Sequence, residues 1–194
     1  MPPAIGMLVM LAAFGVGGLA VIGLLAGLLK RDRGWIRASG IALGGAVGGY
    51  GLVWVIGLLA AGSKVVPIGS EISFCDVDCD LHVAVAKASR DTDLAVTVRF
   101  RSDAKVSNGY PSSLRLAVVD DQGQRYVPAS GLIAEPLAAG ATIEREFRFS
   151  VPASAGHPRL QVSYDGVMDY LLPGAGNPLV QRKTVLALAE TADR

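Results

Sequence analysis

Two long apolar runs open the chain. Residues 4–29 and 38–62 contain no charged side chain. Each run is longer than the roughly 20 residues that a helix needs to cross the hydrocarbon core of a bilayer. All the charged residues of the first 62 positions lie in the turn between the runs, at 30–37. We therefore predict a transmembrane helical hairpin over residues 1–62, with helices over 4–29 and 38–62.

After the hairpin the apolar positions change to a period of two. Leu94, Val96, Val98 and Phe100, for example, alternate with residues that are mostly polar. This alternation is typical of half-buried strands. It predicts eight strands, at 68–74, 81–88, 93–101, 114–119, 124–128, 142–151, 159–164 and 179–188. The last of these runs also fits a helical tail.

Turn residues separate the predicted strands, as at Asp121-Gln122-Gly123. Short strands joined in this way predict a two-sheet antiparallel β-sandwich over residues 66–194. The predicted fold class is therefore a membrane-anchored all-β protein, in which a two-helix transmembrane hairpin precedes the sandwich.

The basic residues of the turn predict an orientation. Lys30, Arg31, Arg33 and Arg37 lie between the two apolar runs, and no basic residue precedes them. Cytoplasmic loops of membrane proteins are enriched in Lys and Arg. We therefore expect a two-span protein of the cell membrane with a cytoplasmic turn at 30–37 and with the C-terminal domain on the extracytoplasmic side.

A secretory signal peptide is the alternative interpretation of the first run. Signal peptides begin with a basic region and have an apolar stretch of about 7–15 residues. Here the region before the apolar run is Met1-Pro2-Pro3, without a basic residue, and the run itself is much longer. These differences favour a membrane-spanning helix.

Glycines recur at a spacing of four in both apolar runs. Small residues at this spacing let membrane helices approach closely. Two interpretations are open, namely packing of the two helices within one chain and contact with a second copy or with a partner's membrane helix. The predicted helix-packing residues are Gly23, Gly27, Gly40, Gly44 and Gly48. Neither run contains an ionisable group of the kind that ion and proton pathways use, which argues against a transporter.

The charge of the outer domain is close to balanced. Beyond residue 62 the chain has 14 basic and 16 acidic residues, a net charge of about −2. Such a domain has no basic field for phosphates, so we expect no nucleic-acid partner.

The order of short motifs in the outer domain resembles the DUF4352-type extracellular domains. The motifs are Phe74-Cys75, 94–100, 119–126, 137–140 and 147–152. The resemblance covers about residues 66–165. It implies an immunoglobulin-like fold on a membrane-anchored chain, and it implies no reaction.

Cys75 and Cys79 are the two cysteines of the chain. Outside the cytoplasm, an isolated pair favours a disulfide. At about 3.3 Å per residue, a straight strand would hold the two Cα atoms about 13 Å apart, beyond the 7 Å limit for a bridge. A disulfide therefore requires a tight turn over 76–78, and free thiols or metal or redox chemistry are the alternatives.

The acidic residues around that turn suggest a second chemistry. Asp76, Asp78 and Asp80 supply the hard oxygens that Ca²⁺ prefers. The EF-hand template is not met, because Lys87 occupies its twelfth position. A solvated turn is the favoured interpretation, and we predict no metal and no cofactor.

No motif predicts an enzyme. His82 falls on the polar side of its strand and His157 lies in a loop with Gly156 and Pro158, so both are expected at the surface. A Ser-His-Asp set is compatible with the composition, but no nucleophile-elbow sequence supports it. We predict no catalytic residues.

One aromatic and apolar stretch, at 164–173, lies in a predicted loop. Loops at the end of a sandwich often bind partners, and packing under the sandwich is the other interpretation. The possible interaction residues are Tyr164, Met168, Tyr170 and Leu171.

We therefore expect a cell-envelope protein with an extracytoplasmic interaction domain, acting as an accessory subunit of a membrane complex. The alternative is a structural or stress-related protein that self-assembles through its glycine-rich hairpin. The expected partners are the lipid bilayer and either another envelope protein or a second copy of the chain.

Overall fold

The structure is a computed structural model that describes residues 3–74, 81–105, 110–129, 136–164 and 168–188. The chain forms two compact units. The first comprises Met1–Ala61 together with Tyr170–Asn177, and the second comprises Gly62–Asp169 together with Pro178–Arg194. Eight residues from the C-terminal part of the chain thus group with the helices.

Two antiparallel helices form most of the first unit. Helix α1 spans Pro3–Lys30 and helix α2 spans Arg33–Ala60. Both are long and apolar enough to cross a membrane, with mean hydropathies of 2.5 and 1.8. Few residues of either helix are buried by the protein itself.

The turn between the helices is shorter than the sequence predicted. Helix α2 begins at Arg33 and not at residue 38. The Asp32 carboxylate accepts hydrogen bonds from the backbone N–H groups of Gly34 at 2.9 Å and Trp35 at 3.3 Å. An aspartate in this position satisfies free N–H groups at a helix start. The charged residues therefore mark the limits of the apolar runs, whereas the N-cap at Asp32 sets the residue at which helix α2 begins.

The second unit is a β-sandwich of two sheets. Nine strands lie in the described residues: β1 Lys64–Val66, β2 Ile72–Phe74, β3 Leu81–Arg90, β4 Leu94–Ser102, β5 Leu114–Val119, β6 Arg125–Tyr126, β7 Thr142–Phe149, β8 Arg159–Tyr164 and β9 Thr184–Ala187. The four-stranded sheet has the order β2-β3-β4-β7 and is antiparallel throughout. The five-stranded sheet has the order β1-β9-β8-β5-β6.

Two features of the five-stranded sheet correct the prediction. Strand β1 was not predicted, and it pairs with β9 in parallel rather than antiparallel. The run at 179–188 contains both predicted structures, since a short helix α3 over Pro178–Gln181 precedes β9. Prolines 173 and 178 interrupt any longer strand before this point, because proline cannot donate to a sheet ladder.

The core lies between the two sheets. The alternating residues of β4 that the sequence assigned to one side, Leu94, Val96, Val98 and Phe100, are all at most 4% exposed. Across the core, the rings of Phe74 and Tyr164 meet edge to face with centroids 5.7 Å apart. This burial of apolar surface from both sheets stabilises the sandwich.

Candidate functional site

A row of charged and polar side chains lies on the solvent side of the four-stranded sheet. The register places Ser73 opposite His82, and His82 opposite Arg101, on three neighbouring strands. Directly opposed residues project on the same face of a sheet. We call this row the polar ladder, and its members are Glu71, Ser73, His82, Arg101 and Asp103.

Arg101 connects the two carboxylates of the polar ladder. Its Nε donates to Glu71 Oε1 at 3.1 Å, and its Nη2 donates to Glu71 Oε2 at 2.6 Å. Its Nη1 donates to the Asp103 carboxylate. The hydrogen bond from Arg101 lowers the pKa of Glu71 below its usual range. The planar guanidinium suits this two-point contact with a carboxylate.

His82 joins Ser73 to Asp103. His82 Nδ1 lies 3.1 Å from Ser73 Oγ, and His82 Nε2 lies 2.9 Å from Asp103 Oδ2. Sequence pattern did not connect these three residues, because they come from separate segments and only the sheet register brings them together. His82 is on the predicted side of its strand, yet its side chain is only 16% exposed because its neighbours cover it.

The Ser-His-Asp set does not have the setting of a catalytic triad. A triad aspartate is buried and hydrogen-bonded to the histidine. Here Asp103 is about half exposed and also binds Arg101, and Ser73 is exposed on a sheet face. We interpret the set as part of a surface hydrogen-bond network. No group of three or more metal-ligating side chains suited to an ion occurs within the described residues.

The predicted packing glycines fall into two groups. A Cβ at Gly23 would lie 2.6 Å from Ser39 Oγ, and one at Gly27 would lie 3.1 Å from the Ile36 backbone nitrogen. These two glycines therefore permit the close approach of α1 to the start of α2. Gly40, Gly44 and Gly48 have no heavy atom within 4 Å of the equivalent position. Their side of α2, the open glycine face, is not used for packing within the hairpin.

A second contact in the helical unit involves residues 170–177, which we call the capping segment. Trp54 Nε1 donates to Tyr170 O at 3.0 Å, and the Tyr50 hydroxyl donates to Leu171 O. A Cβ at Gly57 would lie 3.0 Å from the Gly174 backbone nitrogen. The polar atoms of two aromatic side chains of α2 thus hold the capping segment through its backbone carbonyls.

The predicted interaction residues are divided by this arrangement. Tyr164 is 7% exposed and packs in the sandwich core, so it is not a loop residue. Tyr170 and Leu171 belong to the capping segment. Met168 begins a short 3₁₀ helix, and its side chain lies outside the described residues. Tyr164 therefore packs in the core, whereas the Leu171 side chain is 37% exposed. For Tyr170 and Leu171 a role in binding stays a prediction.

The predicted disulfide cannot be placed on this fold, because Cys75 and Cys79 lie outside the described residues. The same holds for the acidic residues of that turn, Asp76, Asp78 and Asp80. The disulfide and the solvated acidic turn therefore stay predictions from the sequence.

Comparison with protein-family models gives no match, and comparison with curated proteins gives none. The resemblance to DUF4352-type domains therefore receives no support beyond the β-sandwich fold. Among solved structures, a secreted protein from Mycobacterium tuberculosis, MPT63, superposes with a TM-score of 0.41 at 11% identity. The alignment covers 66% of this chain and 98% of that one. Nothing about activity or partners follows from a likeness of this degree.

Proposed function

We propose that this protein is a two-span membrane protein that holds an extracytoplasmic β-sandwich as an interaction module. The observation that carries the proposal is the exposure of apolar side chains along both helices. Leu8, Leu19, Ile41 and Leu59 are each about two thirds or more exposed. A soluble protein rarely leaves so much contiguous apolar surface uncovered. Lipid chains would cover this surface without leaving backbone N–H and C=O groups unpaired, because the helix backbones are hydrogen-bonded internally.

The orientation in this proposal rests on the short turn. Lys30, Arg31 and Arg33 flank or form the turn, and Arg37 lies one helical turn further on. With these residues in the cytoplasm, the sandwich lies on the extracytoplasmic side. There the polar ladder provides a solvent-facing surface with fixed charges of both signs.

The role that we propose for the whole molecule is that of an accessory subunit in a membrane complex. The open glycine face of α2 supports this role, because it leaves a surface for another helix that the hairpin itself does not use. Gly23 and Gly27, by contrast, are already used in the contact between α1 and α2 of the same chain. In this role the protein binds and positions a partner and catalyses no reaction.

Self-assembly is the second candidate. The open glycine face would serve equally in a symmetric contact between two copies of α2, as small-residue motifs do in membrane helix dimers. Cross-linking in intact membranes separates the two candidates. A discrete adduct containing a second kind of protein supports the accessory role, and adducts of this chain alone support self-assembly.

A matched pair of double variants tests the face itself. We expect Gly44→Leu with Gly48→Leu to reduce the cross-linked adduct strongly, since leucine prevents close backbone approach. Gly15→Leu with Gly18→Leu, at positions of α1 that are also open, is the control and should leave the adduct unchanged. An adduct that survives the first pair, or that is lost equally with both, would show that α2 does not associate through this face.

A further inference from the structure

A groove runs along one side of the α1–α2 contact, in the half of the hairpin nearest the turn. Its volume is about 540 Å³, within the range of about 300–1,000 Å³ of small-molecule sites. The lining is almost entirely apolar and includes Leu19, Ala20 and Gly23 of α1 and Trp35, Ala38 and Ala42 of α2. The small residues of this lining create the space, and Trp35 forms a wall at the turn end.

The extent of the groove matches one leaflet of a bilayer. On α2 it runs from Gly34 to Ala42, which is about 12 Å at 1.5 Å per residue. The hydrocarbon of one leaflet is about 15 Å deep, half of the roughly 30 Å core. A groove for a partner helix would be expected to continue along the whole hairpin, whereas this one ends near its middle.

Positive charge lies at the turn end of the groove. Lys30, Arg31, Arg33 and Arg37 are all exposed there, and none of them makes an ion pair with another described residue. Asp32 is the only acidic residue nearby in sequence, and its carboxylate is engaged as the N-cap of α2. The site thus combines an apolar groove, of a length that suits an acyl chain, with unpaired cations at one end.

We propose that the groove binds an anionic phospholipid of the cytoplasmic leaflet. One acyl chain lies along the groove between α1 and α2, and the phosphate is bound by Arg33 and Arg37. Basic pockets between membrane helices on the cytoplasmic side are suited to anionic head groups. This inference rests on the proposed function, because it requires that the hairpin spans a bilayer with its turn in the cytoplasm.

Native mass spectrometry of the full chain, released from detergent with equal amounts of phosphatidylglycerol and phosphatidylcholine, tests the proposal. We expect the bound population to favour phosphatidylglycerol. Arg33→Gln with Arg37→Gln should lower the ratio by about fivefold for each arginine removed. Equal binding of the two lipids by the unaltered chain would overturn the proposal.

Filling the groove provides the second test. Ala38→Leu with Ala42→Leu places larger side chains at two exposed positions of the lining, and we expect lipid retention to fall for both lipids. Ala12→Leu with Ala60→Leu, outside the lining, is the control and should retain lipid as the unaltered chain does. Retention unchanged by filling the groove, or a filled variant that loses only cross-linked protein adducts, would assign the groove to another occupant and overturn the proposal.

A separate measurement tests the proposed membrane anchor independently of the lipid site. If alkaline washing removes the chain from membranes, the membrane anchor is wrong and the lipid site fails with it. If the chain stays in washed membranes but shows no preference for the anionic lipid, the anchor stands and only the lipid site is wrong.

Discussion

Asn177 is 1% exposed and closes the capping segment on itself. Its Nδ2 donates to Tyr170 O at 2.9 Å and to Leu172 O at 3.0 Å. Tyr170 O also accepts from Trp54 Nε1, so both of its lone pairs are used. One buried carboxamide therefore sets the shape of the segment that α2 contacts.

The first prediction is that Asn177→Ala destabilises the protein by about 1–3 kcal/mol, because the two hydrogen bonds from its buried carboxamide are lost, and each such bond contributes about 0.5–1.5 kcal/mol. Thermal unfolding of the full chain in detergent measures the loss. Hydrogen exchange at the amides of 170–177 should rise as well. Gln122→Ala, at an exposed turn position, is the control. Exchange unchanged in this segment would show that Asn177 does not hold it.

A second prediction at the scale of single residues concerns Glu71 of the polar ladder. The pKa of Glu71 is lowered in the folded protein, chiefly by its hydrogen bond from Arg101. A lowered carboxyl pKa contributes stability that is fully present above the ordinary value of about 4.3 for glutamate and is lost as the pH falls through the folded-state pKa. The expected contribution is about 1 kcal/mol or less, since the pair is partly exposed.

The test compares unfolding of Glu71→Gln with that of the unaltered chain across pH. The two should differ at pH 7 and converge as the pH falls below about 4. Glu144→Gln removes a more exposed carboxylate, paired with Arg99 at 2.8 Å, and should show a smaller difference. A difference for Glu71→Gln that persists at low pH would mean that the effect is not the charge of this carboxylate.

At the scale of elements, the start of α1 lies against the capping segment. A Cβ at Gly6 would fall against the carbonyl oxygen of Pro173, which is backbone and cannot rotate away. The third prediction is that Gly6→Ala displaces the capping segment and increases hydrogen exchange over 170–177. Gly15→Ala lies on the same helix with open space around it and is the control. Equal hydrogen exchange over 170–177 in Gly6→Ala and Gly15→Ala would show that Gly6 does not contact the capping segment.

The elements that sequence predicted well are those whose pattern is local. The period-two run of β4 follows burial along that strand, and the apolar runs mark α1 and α2. In β8 the alternation does not follow burial, because the polar Gln161 and Ser163 are buried as well. Strand β1 was missed because Lys64–Val66 is too short to show a period. Its parallel partner lies about 120 residues away in β9, and no local pattern can report such a pairing.

The same limit explains which part of the candidate site was foreseen. The glycines were identified from spacing alone. Spacing cannot distinguish Gly23, which packs against Ser39, from Gly44, which has open space around its Cβ position in the described part of the chain. The polar ladder depends on sheet register, and Asn177 depends on a turn that brings carbonyls to one side chain. Each of these requires the folded chain.

At the scale of the whole molecule, the path of the chain joins its two units three times. It leaves the helices after Ala61, returns to them as the capping segment, and then re-enters the sandwich through α3 and β9. Because β9 pairs with β1, the strand that directly follows α2, the sandwich cannot complete its five-stranded sheet without residues on both sides of the capping segment. Folding of the two units is therefore expected to be coupled.

The last prediction concerns orientation in the membrane. In a background with Cys75 and Cys79 replaced by serine, single cysteines are introduced at Ser154, an exposed loop position of the sandwich, and at Arg33 beside the turn. Replacing Arg33 leaves three basic residues in place, so the charge asymmetry that sets topology is retained.

A membrane-impermeant thiol reagent added to intact cells or spheroplasts should label Ser154→Cys and should not label Arg33→Cys. Labelling of Arg33→Cys should occur only after the membrane is permeabilised, because the turn faces the cytoplasm in the proposed orientation. The reverse pattern would place the sandwich in the cytoplasm. It would also move the groove to the other leaflet, so the same measurement fixes which lipids the basic turn can meet.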